Sequence, residues 1–389
     1  MGVIEMKVAV TILVFCVISL LALGLVMLYS SSMVMLDRHT HAQVGAHMLQ
    51  MQVVWCLVGF LACVTTVAMD YTWLKRFAIP IFVGTLGLAG LVFVPHLGMH
   101  VNGAHRWIRL PGATFQPSEM VKLGLIIMVA WYADLSQRKM QQLGRGLLVP
   151  GIIIAAALAL IYIEPDRGTT ILLALVSGTI LMLAGVRWRH MIPVVLIAGA
   201  GLYYSLTHDA MRNGRISAWL HPEAHASGAA LQAEQAKIAI GAGGLTGVGL
   251  GDGRQKLGFL PEIHSDFIFA NIGEELGLVA TLSVVLAFFL IAVCGLYIAY
   301  RARDQFGCLL VVGVTTLICY QAIFNLFVVT SLLPNKGLAL PFISAGGSSL
   351  LAMMIGVGML LSVARQAEPA KISAAEIVTN DNPFAAKAA

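Results

Sequence analysis

Residues 247–277 place acidic side chains beside and inside a long apolar segment. The stretch reads GVGLGDGRQKLGFLPEIHSDFIFANIGEELG, with Asp266 where the apolar segment begins and the pair Glu274 and Glu275 further in. Ionisable groups at membrane depth are costly and rare, so each of them is a candidate functional group. Asp266 could be a catalytic carboxylate, or it could cap the helix while the glutamates pair with neighbouring helices, and a cap can also be catalytic.

A second acidic and basic pair lies in residues 101–124, VNGAHRWIRLPGATFQPSEMVKLG. The run QPSE at 116–119 is typical of a helix start. Glu119 and Lys122 are three residues apart, so they share one helix face and could form an ion pair. The pair could be a capping glutamate with a snorkelling lysine, or it could form the charged wall of a polar cavity.

Residues 164–168, EPDRG, form a short turn between two apolar stretches. Three ionisable side chains this close to the apolar boundary are costly unless partners or water accompany them. Arg167 could neutralise Asp166 locally, which would make the turn purely structural. The alternative is that the turn contributes charge to a functional site.

A glycine run at 241–251, GAGGLTGVGLG, is closely followed by Arg254 and Lys256, and Arg212 and Arg215 precede it. Glycines let backbone amides approach an anion, and the basic residues add positive charge. Glycine turns are common, so the run by itself is weak evidence. Together with the basic residues and a nearby acid, it predicts a pyrophosphate site.

The segment at 340–349, LPFISAGGSS, lies at the start of the last apolar stretch. Its small residues favour close helix packing. Ser348 and Ser349 have no neighbouring base of the kind that activates a serine nucleophile, so acyl-transfer chemistry is excluded.

The composition excludes an ordinary soluble domain. Of 389 residues, 59% are hydrophobic and 11% are charged, whereas soluble chains average about 25% charged residues. The formal net charge of +5 lies mostly in short loops, which argues against a nucleic-acid partner. The absence of a phosphate-binding loop motif argues against an ATP-driven pump. The predicted fold class is all-α, a polytopic integral membrane protein.

Ten apolar stretches are long enough to span a bilayer. They run near 8–30, 52–69, 77–97, 120–135, 147–163, 169–186, 191–207, 267–299, 307–332 and 341–364. Basic residues in the short loops favour a topology with both termini in the cytoplasm. One long loop, about 208–265, then lies on the outer face between the seventh and eighth spans. Residues 1–365 are predicted to form one membrane domain, and 366–389 a disordered cytoplasmic tail.

Six motifs occur in a fixed order along these spans: GAHRWI, FQPSE with Lys122, EPDRGTT, AIGAGGLTGVGLG, LPEIHSDFIFANIGEELG and LPFISAGGSS. In this order they resemble the SEDS family (shape, elongation, division and sporulation) over about residues 8–365. The compact GVGLGDGRQKLGFLP and the GEELG ending resemble the division-specific FtsW branch more than the elongation-specific RodA branch. Members of the family polymerise cell-wall glycan from lipid II on the outer face of the bacterial cytoplasmic membrane.

The resemblance implies a peptidoglycan glycosyltransferase of septal cell-wall synthesis. Inverting transfer from a lipid-pyrophosphate donor needs a base on the acceptor and stabilisation of the leaving pyrophosphate. The resemblance assigns the base to Asp266. The candidate substrate-binding residues are Arg106, Glu119, Lys122, Asp166, Arg215, Arg254, Lys256, His264, Glu274 and Ser348. No set of side chains is expected to ligate a metal alone, and the one cofactor expected is a Mg²⁺ or Mn²⁺ ion on the substrate pyrophosphate.

The resemblance also implies partners and a location. The partners are lipid II, a class B penicillin-binding protein (an FtsI-type transpeptidase) and other division proteins, and the location is the septal part of the inner membrane. The single helix of the transpeptidase is predicted to dock on the eighth and ninth spans, whose small residues permit close packing. These small residues are Gly277, Ala280, Ala287, Gly295, Gly307 and Gly313.

Two other functions stay open. A lipid II flippase would also suit a chain with ten spans and intramembrane charges, but it requires those charges along a path through the membrane. A scaffold that only recruits and activates the transpeptidase would tolerate the loss of Asp266.

Overall fold

The computed structural model describes residues 2–32, 44–94, 97–101, 104–110, 113–207, 219, 229–257, 263–334 and 337–367. Within these ranges, six helices are long and apolar enough to cross a membrane. They are Ile4–Ser32, Gly45–Ala68, Leu143–Ile163, Ile268–Tyr300, Gln305–Val329 and Gly347–Arg365. Two shorter apolar helices cover Ala78–Phe93 and Arg167–Leu183. The predicted C-terminal tail lies outside the described residues from 368 onward.

The helices are numbered in chain order. They are α1 (Gly2–Ser32), α2 (Val44–Ala68), α3 (Tyr71–Arg76), α4 (Ala78–Gly90), α5 (Ser118–Leu135), α6 (Val149–Ile163), α7 (Arg167–Leu183), α8 (Trp188–Thr207), α9 (Ala229–Gly243), α10 (Ile268–Tyr300), α11 (Gln305–Val329) and α12 (Gly347–Arg365). Short 3₁₀ turns occur at Leu91–Phe93, Gln137–Lys139 and Gln255–Leu257, and a π-helical turn at Leu143–Leu148.

Each of the ten predicted spans coincides with one of these helices, which confirms the all-α prediction. The second span was predicted to begin at 52, whereas α2 begins at Val44. The last span was predicted to begin at 341, whereas α12 begins at Gly347. The reason is that residues 337–346 are a non-helical segment with buried side chains, including Leu340 and Ile343. Hydropathy does not distinguish buried non-helical chain from a helix, because both are apolar.

Two features were not predicted from the sequence. A three-stranded antiparallel sheet follows α4 in the order β1 (Gly98–Val101), β2 (Ala104–Leu110) and β3 (Ala113–Phe115). Its middle strand, AHRWIRL, carries the aromatic and branched residues that favour strands. In the predicted long loop, the part that the structure describes includes helix α9.

Helix α11 forms the centre of the bundle. It packs against α5, α7, α10 and α12, while α2 packs on α12 and α1 on α10. Helix α11 is consequently mostly buried, and glycines allow its neighbours to approach: a Cβ at Gly313 would lie 2.6 Å from Ile126. A polar side chain on the inner face of α11 therefore contacts protein rather than lipid.

Helix α10 is interrupted at Gly277, where φ is 75° and ψ is −169°. The interruption frees backbone groups that a continuous helix would pair, and the glycine run supplies partners for them. The Leu278 amide, for example, donates to the Gly244 carbonyl at 2.9 Å. A Cβ at 277 would lie 2.4 Å from the Gly247 nitrogen. Glycine is therefore required at 277 both by its φ and by the space available.

Candidate functional site

Helices α5, α7, α10 and α12 all begin beside the non-helical segment 337–346. The backbone amide of Gln116, just before α5, donates to Ser348 Oγ in α12 at 2.9 Å. The Leu338 side chain packs against Gly168 in the first turn of α7. The Ala345 amide donates to the His264 carbonyl, just before α10, at 3.0 Å. Four helix N-termini therefore converge, and their backbone amides favour negative charge.

Asp266 lies in the turn that leads into α10 and is half-buried. Its backbone carbonyl accepts a hydrogen bond from Asn325 Nδ2 at 2.8 Å. A Cβ at Gly337 would lie 2.6 Å from Asp266 Oδ2, so the 337–346 backbone passes directly beside the carboxylate. The N-cap position of α10 is Phe267. Asp266 is therefore one residue before the capping position, close to the converging helix ends.

Side chains also fasten this turn to the 337–346 segment. Ser344 Oγ donates to the Ser265 carbonyl at 2.6 Å and accepts from the Leu340 amide at 2.8 Å. His264 and Ser265 thus both bond the segment through their backbone carbonyls. The turn that carries Asp266 is therefore held at the two residues before the acid and, through Asn325, at the carbonyl of the acid itself.

Glu119 and Lys122 form the predicted ion pair on α5. Lys122 Nζ lies 2.8 Å from Glu119 Oε1 and 3.0 Å from Gln321 Oε1 of α11. The Lys122 side chain is 1% exposed and that of Glu119 is 8% exposed. The pair is therefore a buried charge pair with a third, neutral partner, and the snorkelling interpretation of Lys122 is wrong because its ammonium group points into the protein.

Gln321 and Asn325 are two buried amides one turn apart on α11. Gln321 Nε2 donates to the Ala339 carbonyl at 2.9 Å, and Asn325 Nδ2 donates to the Leu338 carbonyl at 2.8 Å. The amide pair therefore links three parts of the site: Lys122, the 337–346 segment and the turn of Asp266.

The turn at 164–168 is organised by Asp166, which is the N-cap of α7. Its carboxylate accepts from the Thr169 amide at 3.1 Å and from Thr169 Oγ1 at 3.0 Å. The Arg167 guanidinium lies 4.8 Å from the ring centroid of Tyr162. Asp166 thus has a capping role, and its buried position places it beside the Leu338 contact described above.

Arg106 of β2 lies over the same turn. Its guanidinium donates from Nε to the Glu164 carbonyl at 2.9 Å, and from Nη2 to the Pro165 carbonyl. The Glu164 side chain is fully buried, and neither of its carboxyl oxygens has a hydrogen-bond partner among the described residues. Burial and the nearby Asp166 charge raise the pKa of Glu164 to about 8, although Arg106 opposes the shift. Glu164 is therefore mostly protonated at neutral pH.

Glu274 and Glu275 bind the loop that follows the glycine run. Glu275 Oε1 lies 2.9 Å from Lys256 Nζ, and its carboxylate also accepts from Ser30 Oγ of α1. Glu274 Oε1 accepts from the Arg254 amide at 2.8 Å. Both glutamate side chains are buried. We call these residues the loop latch, because they attach the loop to α10 and α1.

The loop latch uses backbone amides at the end of the glycine run and just after it, where the sequence predicts a pyrophosphate site. The amides of Gly251, Arg254 and Gln255 donate to the two glutamates, as does the Lys256 ammonium group. The side chain of Arg254 is exposed and leaves positive charge on the loop surface. Arg215 lies outside the described residues.

The predicted residues thus form two groups. Contacts of the first group lead to the 337–346 segment, either directly or through the 164–168 turn and the amides of α11. Its members are Asp266, His264, Glu119, Lys122, Asp166, Arg106 and Ser348. The second group, with Lys256, Glu274 and Arg254, belongs to the loop latch. Within the described ranges, no three His, Cys, Asp or Glu side chains are placed to hold a metal ion.

No motif in the sequence marks Gln321, Asn325 or Glu164 as an individual site residue. A signal for the two amides existed, because polar residues four apart in an apolar helix share one face and are costly in lipid. In the sequence, Glu164 and Asp166 are two acidic residues of the same charged turn, 164–168. Its distinction from Asp166 depends on which carboxylate has hydrogen-bond partners, and this only the tertiary structure shows.

Comparison with known proteins identifies the family. Residues 11–369 match the family model of FtsW, RodA and SpoVE proteins, described as "Cell cycle protein". The chain is 41% identical over 352 residues to a probable peptidoglycan glycosyltransferase FtsW of Trichlorobacter lovleyi, covering 90% of this chain and 92% of that one. It is 37% identical to the FtsW of Coxiella burnetii, covering 92% and 96% of the two chains. It is 35% identical to the stage V sporulation protein E of Bacillus subtilis, covering 91% and 96%.

Solved structures show the same fold. One belongs to a study of the coordination of polymerization and crosslinking by a peptidoglycan synthase complex, with a TM-score of 0.76 and 26% identity over 91% of this chain and 97% of that one. Another is the rod shape determining protein RodA of Thermus thermophilus, with a TM-score of 0.65 and 25% identity over 91% and 96%. Together with the apolar helices, these matches show a multi-pass membrane protein. The chain belongs to the family of the cell cycle proteins FtsW, RodA and SpoVE.

Proposed function

We propose that the chain is a peptidoglycan glycosyltransferase that polymerises lipid II during septal cell-wall synthesis. The observation that carries this proposal is the convergence of Asp266, the Glu119–Lys122 pair and four helix N-termini on the 337–346 segment. A transferase of this kind needs a carboxylate to accept the proton of the acceptor hydroxyl, and it needs positive charge nearby for the pyrophosphate that leaves. The relatives named as peptidoglycan glycosyltransferases support the same reaction class.

The proposed step is an inverting displacement. The hydroxyl oxygen of the acceptor sugar bonds to the anomeric carbon of the α-linked donor, and Asp266 takes the hydroxyl proton. The bond between that carbon and the pyrophosphate oxygen breaks, and the lipid pyrophosphate leaves with the electron pair. Lys122 and Arg106 would hold the pyrophosphate of the bound donor, and the helix N-termini would stabilise the negative charge that develops as it leaves. A Mg²⁺ or Mn²⁺ ion on the pyrophosphate would add to this charge neutralisation.

The geometry favours a transferase over the two alternatives. A flippase requires charge along a path through the bilayer, whereas here the charged residues gather where α5, α7, α10 and α12 all begin. In the predicted topology, with both termini in the cytoplasm, these four helices run from the outer face inward. The site would then lie at the outer face, where members of the family polymerise lipid II. A scaffold leaves the convergence of an acid, a buried ammonium group and four helix N-termini without a role.

The transpeptidase partner is proposed to dock on α10, the helix that Asp266 precedes. The small residues expected to line this surface are mostly wrong, because Gly277, Gly295, Gly307 and Gly313 are buried inside the chain. The ninth predicted span offers little surface for docking, because α11 is mostly buried at the centre of the bundle. Helix α10 instead exposes a stripe of large apolar residues spaced three or four positions apart. The stripe consists of Leu278, Leu282, Leu286, Phe289, Val293, Leu296 and Tyr300. This spacing keeps the side chains on one face of the helix, where a second helix can pack against them.

The test is polymerisation of labelled lipid II by the purified chain, alone and with a class B penicillin-binding protein. The Asp266→Asn variant keeps the size of the side chain but removes the base, so we expect the rate to fall at least about 100-fold. Asp252→Asn changes an exposed acid in the loop after the glycine run and is the matched control, with an expected rate near that of the parent. Parent-like polymerisation by Asp266→Asn would refute the assigned base.

Reconstitution into vesicles separates the flippase alternative. If labelled lipid II crossed the bilayer at equal rates with the parent and Asp266→Asn, and neither polymerised it, the transferase proposal would fail.

A further inference from the structure

We propose that Gln321 and Asn325 are positioning residues: Asn325 sets the place of the Asp266 carboxylate and Gln321 sets the place of the Lys122 ammonium group. The inference rests on the proposed function, because it assigns the two amides to the same transfer reaction. Neither amide is expected to touch the reacting atoms.

The two amides share one face of α11. They lie four residues apart on α11, so both side chains emerge from one face of the helix. Both are 1% exposed, and that face meets the 337–346 segment at two consecutive carbonyls, of Leu338 and Ala339. Helix α11 therefore holds the segment at two points, the carbonyls of Leu338 and Ala339.

The simplest explanation is that the two amides only provide hydrogen bonds to those carbonyls. Non-helical backbone at membrane depth survives where the protein supplies its hydrogen bonds, so Gln321 and Asn325 have a structural role in any case. One donated bond each would be sufficient for that role.

Each amide, however, makes a second contact, and each second contact is to the site. The second bond of Asn325 Nδ2 goes to the Asp266 carbonyl at 2.8 Å, so one NH₂ group bridges the turn of the acid and the 337–346 segment. Gln321 Oε1 accepts from Lys122 Nζ at 3.0 Å. The orientation of the Gln321 amide is fixed by chemistry, since only its oxygen can accept from an ammonium group and only its nitrogen can donate to a carbonyl.

The second contacts predict different consequences for the two residues. Asn325 acts on the residue proposed to remove the proton, so its loss should impair the chemical step. Gln321 acts on a cation proposed to hold the pyrophosphate, so its loss should impair substrate binding. A neutral amide suits this position, because it orients the ammonium group without adding to the negative charge of Glu119.

The experiment measures steady-state polymerisation of labelled lipid II by the full chain with its transpeptidase partner. For Asn325→Leu we expect kcat to fall about 30-fold with KM within about threefold of the parent. For Gln321→Met we expect KM to rise about tenfold with kcat within about threefold. The matched control is Thr316→Val on the same helix, because Thr316 Oγ1 donates to the carbonyls of Val312 and Gly313 within its own helix and to no other described residue.

Further variants keep the inference testable if Asn325→Leu does not fold. Asn325→Asp retains the shape of the side chain but cannot donate to two carbonyls, and we expect it to be as impaired as Asn325→Leu. Asn325→Ser retains one donor, and we expect it to recover part of kcat. Thermal unfolding of each purified variant shows whether activity merely follows stability.

The outcomes are separable. A kcat effect at 325 with a KM effect at 321 supports the inference. The same kinetic signature for both variants, in proportion to their loss of thermal stability, would overturn it and leave the proposed function intact, as would a parent-like kcat for Asn325→Asp. A parent chain that binds lipid II but never polymerises it would overturn the proposed function and this inference with it.

Discussion

The ion pair of Lys122 and Glu119 places two charges where water is largely excluded. A buried charge that loses its partner typically costs about 3–5 kcal/mol, whereas removal of both charges is often nearly neutral. The neutral Gln321 contact offsets only part of the desolvation of the lysine. The pair should therefore behave as one unit in stability and as one unit in activity.

A double-mutant cycle tests this coupling. We expect Glu119→Gln and Lys122→Met each to lower the unfolding temperature, and the double variant to recover at least about half of that loss. Activity should not recover with it, because the cation is still missing, and the double variant should polymerise lipid II no more slowly than the worse single variant. Additive losses in both stability and activity would show that the two residues act separately.

Glu164 should make stability depend on pH. Its pKa is raised to about 8 by burial and by Asp166, so between about 4.5 and 8 the folded chain holds a proton that the unfolded chain has released. The unfolded state then binds fewer protons, and the stability of the fold falls as pH rises through this window. Above pH 8 both states are ionised and the slope disappears.

The Glu164→Gln variant, which mimics the protonated acid, should abolish this slope. We expect its unfolding temperature to match the parent near pH 5 and to exceed it by several degrees at pH 8.5. Glu234→Gln on the exposed side of α9 is the control and should track the parent at both pH values. An equal pH slope in the parent and Glu164→Gln would contradict the assignment.

At the scale of elements, the interruption of α10 couples the loop latch to the site. The helix begins just after Asp266, bonds the glycine run at Gly277, and continues across the membrane. Glu274 and Glu275 lie just before the interruption and bind the loop that follows the glycine run. The first two turns of α10 therefore have contacts that the rest of the helix does not share. Strain at the break would therefore be transmitted to the acid.

Gly277→Ala is the direct test of this coupling. A residue with a Cβ at φ 75° is strained, and the added atom would lie 2.4 Å from the Gly247 nitrogen, so we expect a cost on the order of 1–3 kcal/mol. Polymerisation should fall together with the unfolding temperature. Gly241→Ala in α9 is the matched control, since a Cβ there meets nothing within 4 Å. Parent-like stability of Gly277→Ala would show that the break is not fixed by the glycine.

At the scale of the whole molecule, α10 has two different sides. One side packs on α1, α9 and α11, and the other exposes the apolar stripe. A partner helix on that stripe would contact the helix that begins directly after the turn of Asp266. Activation would then proceed by biasing the position of α10 rather than by supplying a catalytic group.

Leu286→Trp changes the centre of the stripe without entering the core, because Leu286 is 55% exposed. We expect it to weaken co-purification with the transpeptidase and to reduce the partner-stimulated rate at least about fivefold, while the basal rate stays unchanged. Leu57 on α2 is also well exposed, at 65%, but lies outside the stripe. The control variant Leu57→Trp should change neither the co-purification nor the partner-stimulated rate. Intact binding by Leu286→Trp and by a second stripe variant, Phe289→Ala, would place the docking surface elsewhere.

The sequence alone was sufficient for the membrane class, the ten spans and the family, because each of these depends on local composition or on motifs read in order. Hydropathy identifies a span without knowledge of its neighbours. The spacing of Glu119 and Lys122 likewise predicts their pairing, since residues three apart on a helix are always adjacent.

The tertiary structure decided what the charged residues do. Lys256 and Lys122 look alike as basic residues near acids, yet Lys256 closes the loop latch and Lys122 joins Gln321 beside the 337–346 segment. Likewise Asp166 caps α7, whereas the nearby Glu164 carboxyl group is buried with no hydrogen-bond partner in the part of the chain that the structure describes. In several cases the deciding partner is distant in the sequence, as Gln321 is from Lys122. No local pattern encodes them, because burial and hydrogen bonding at one residue are set by whichever helices pack around it.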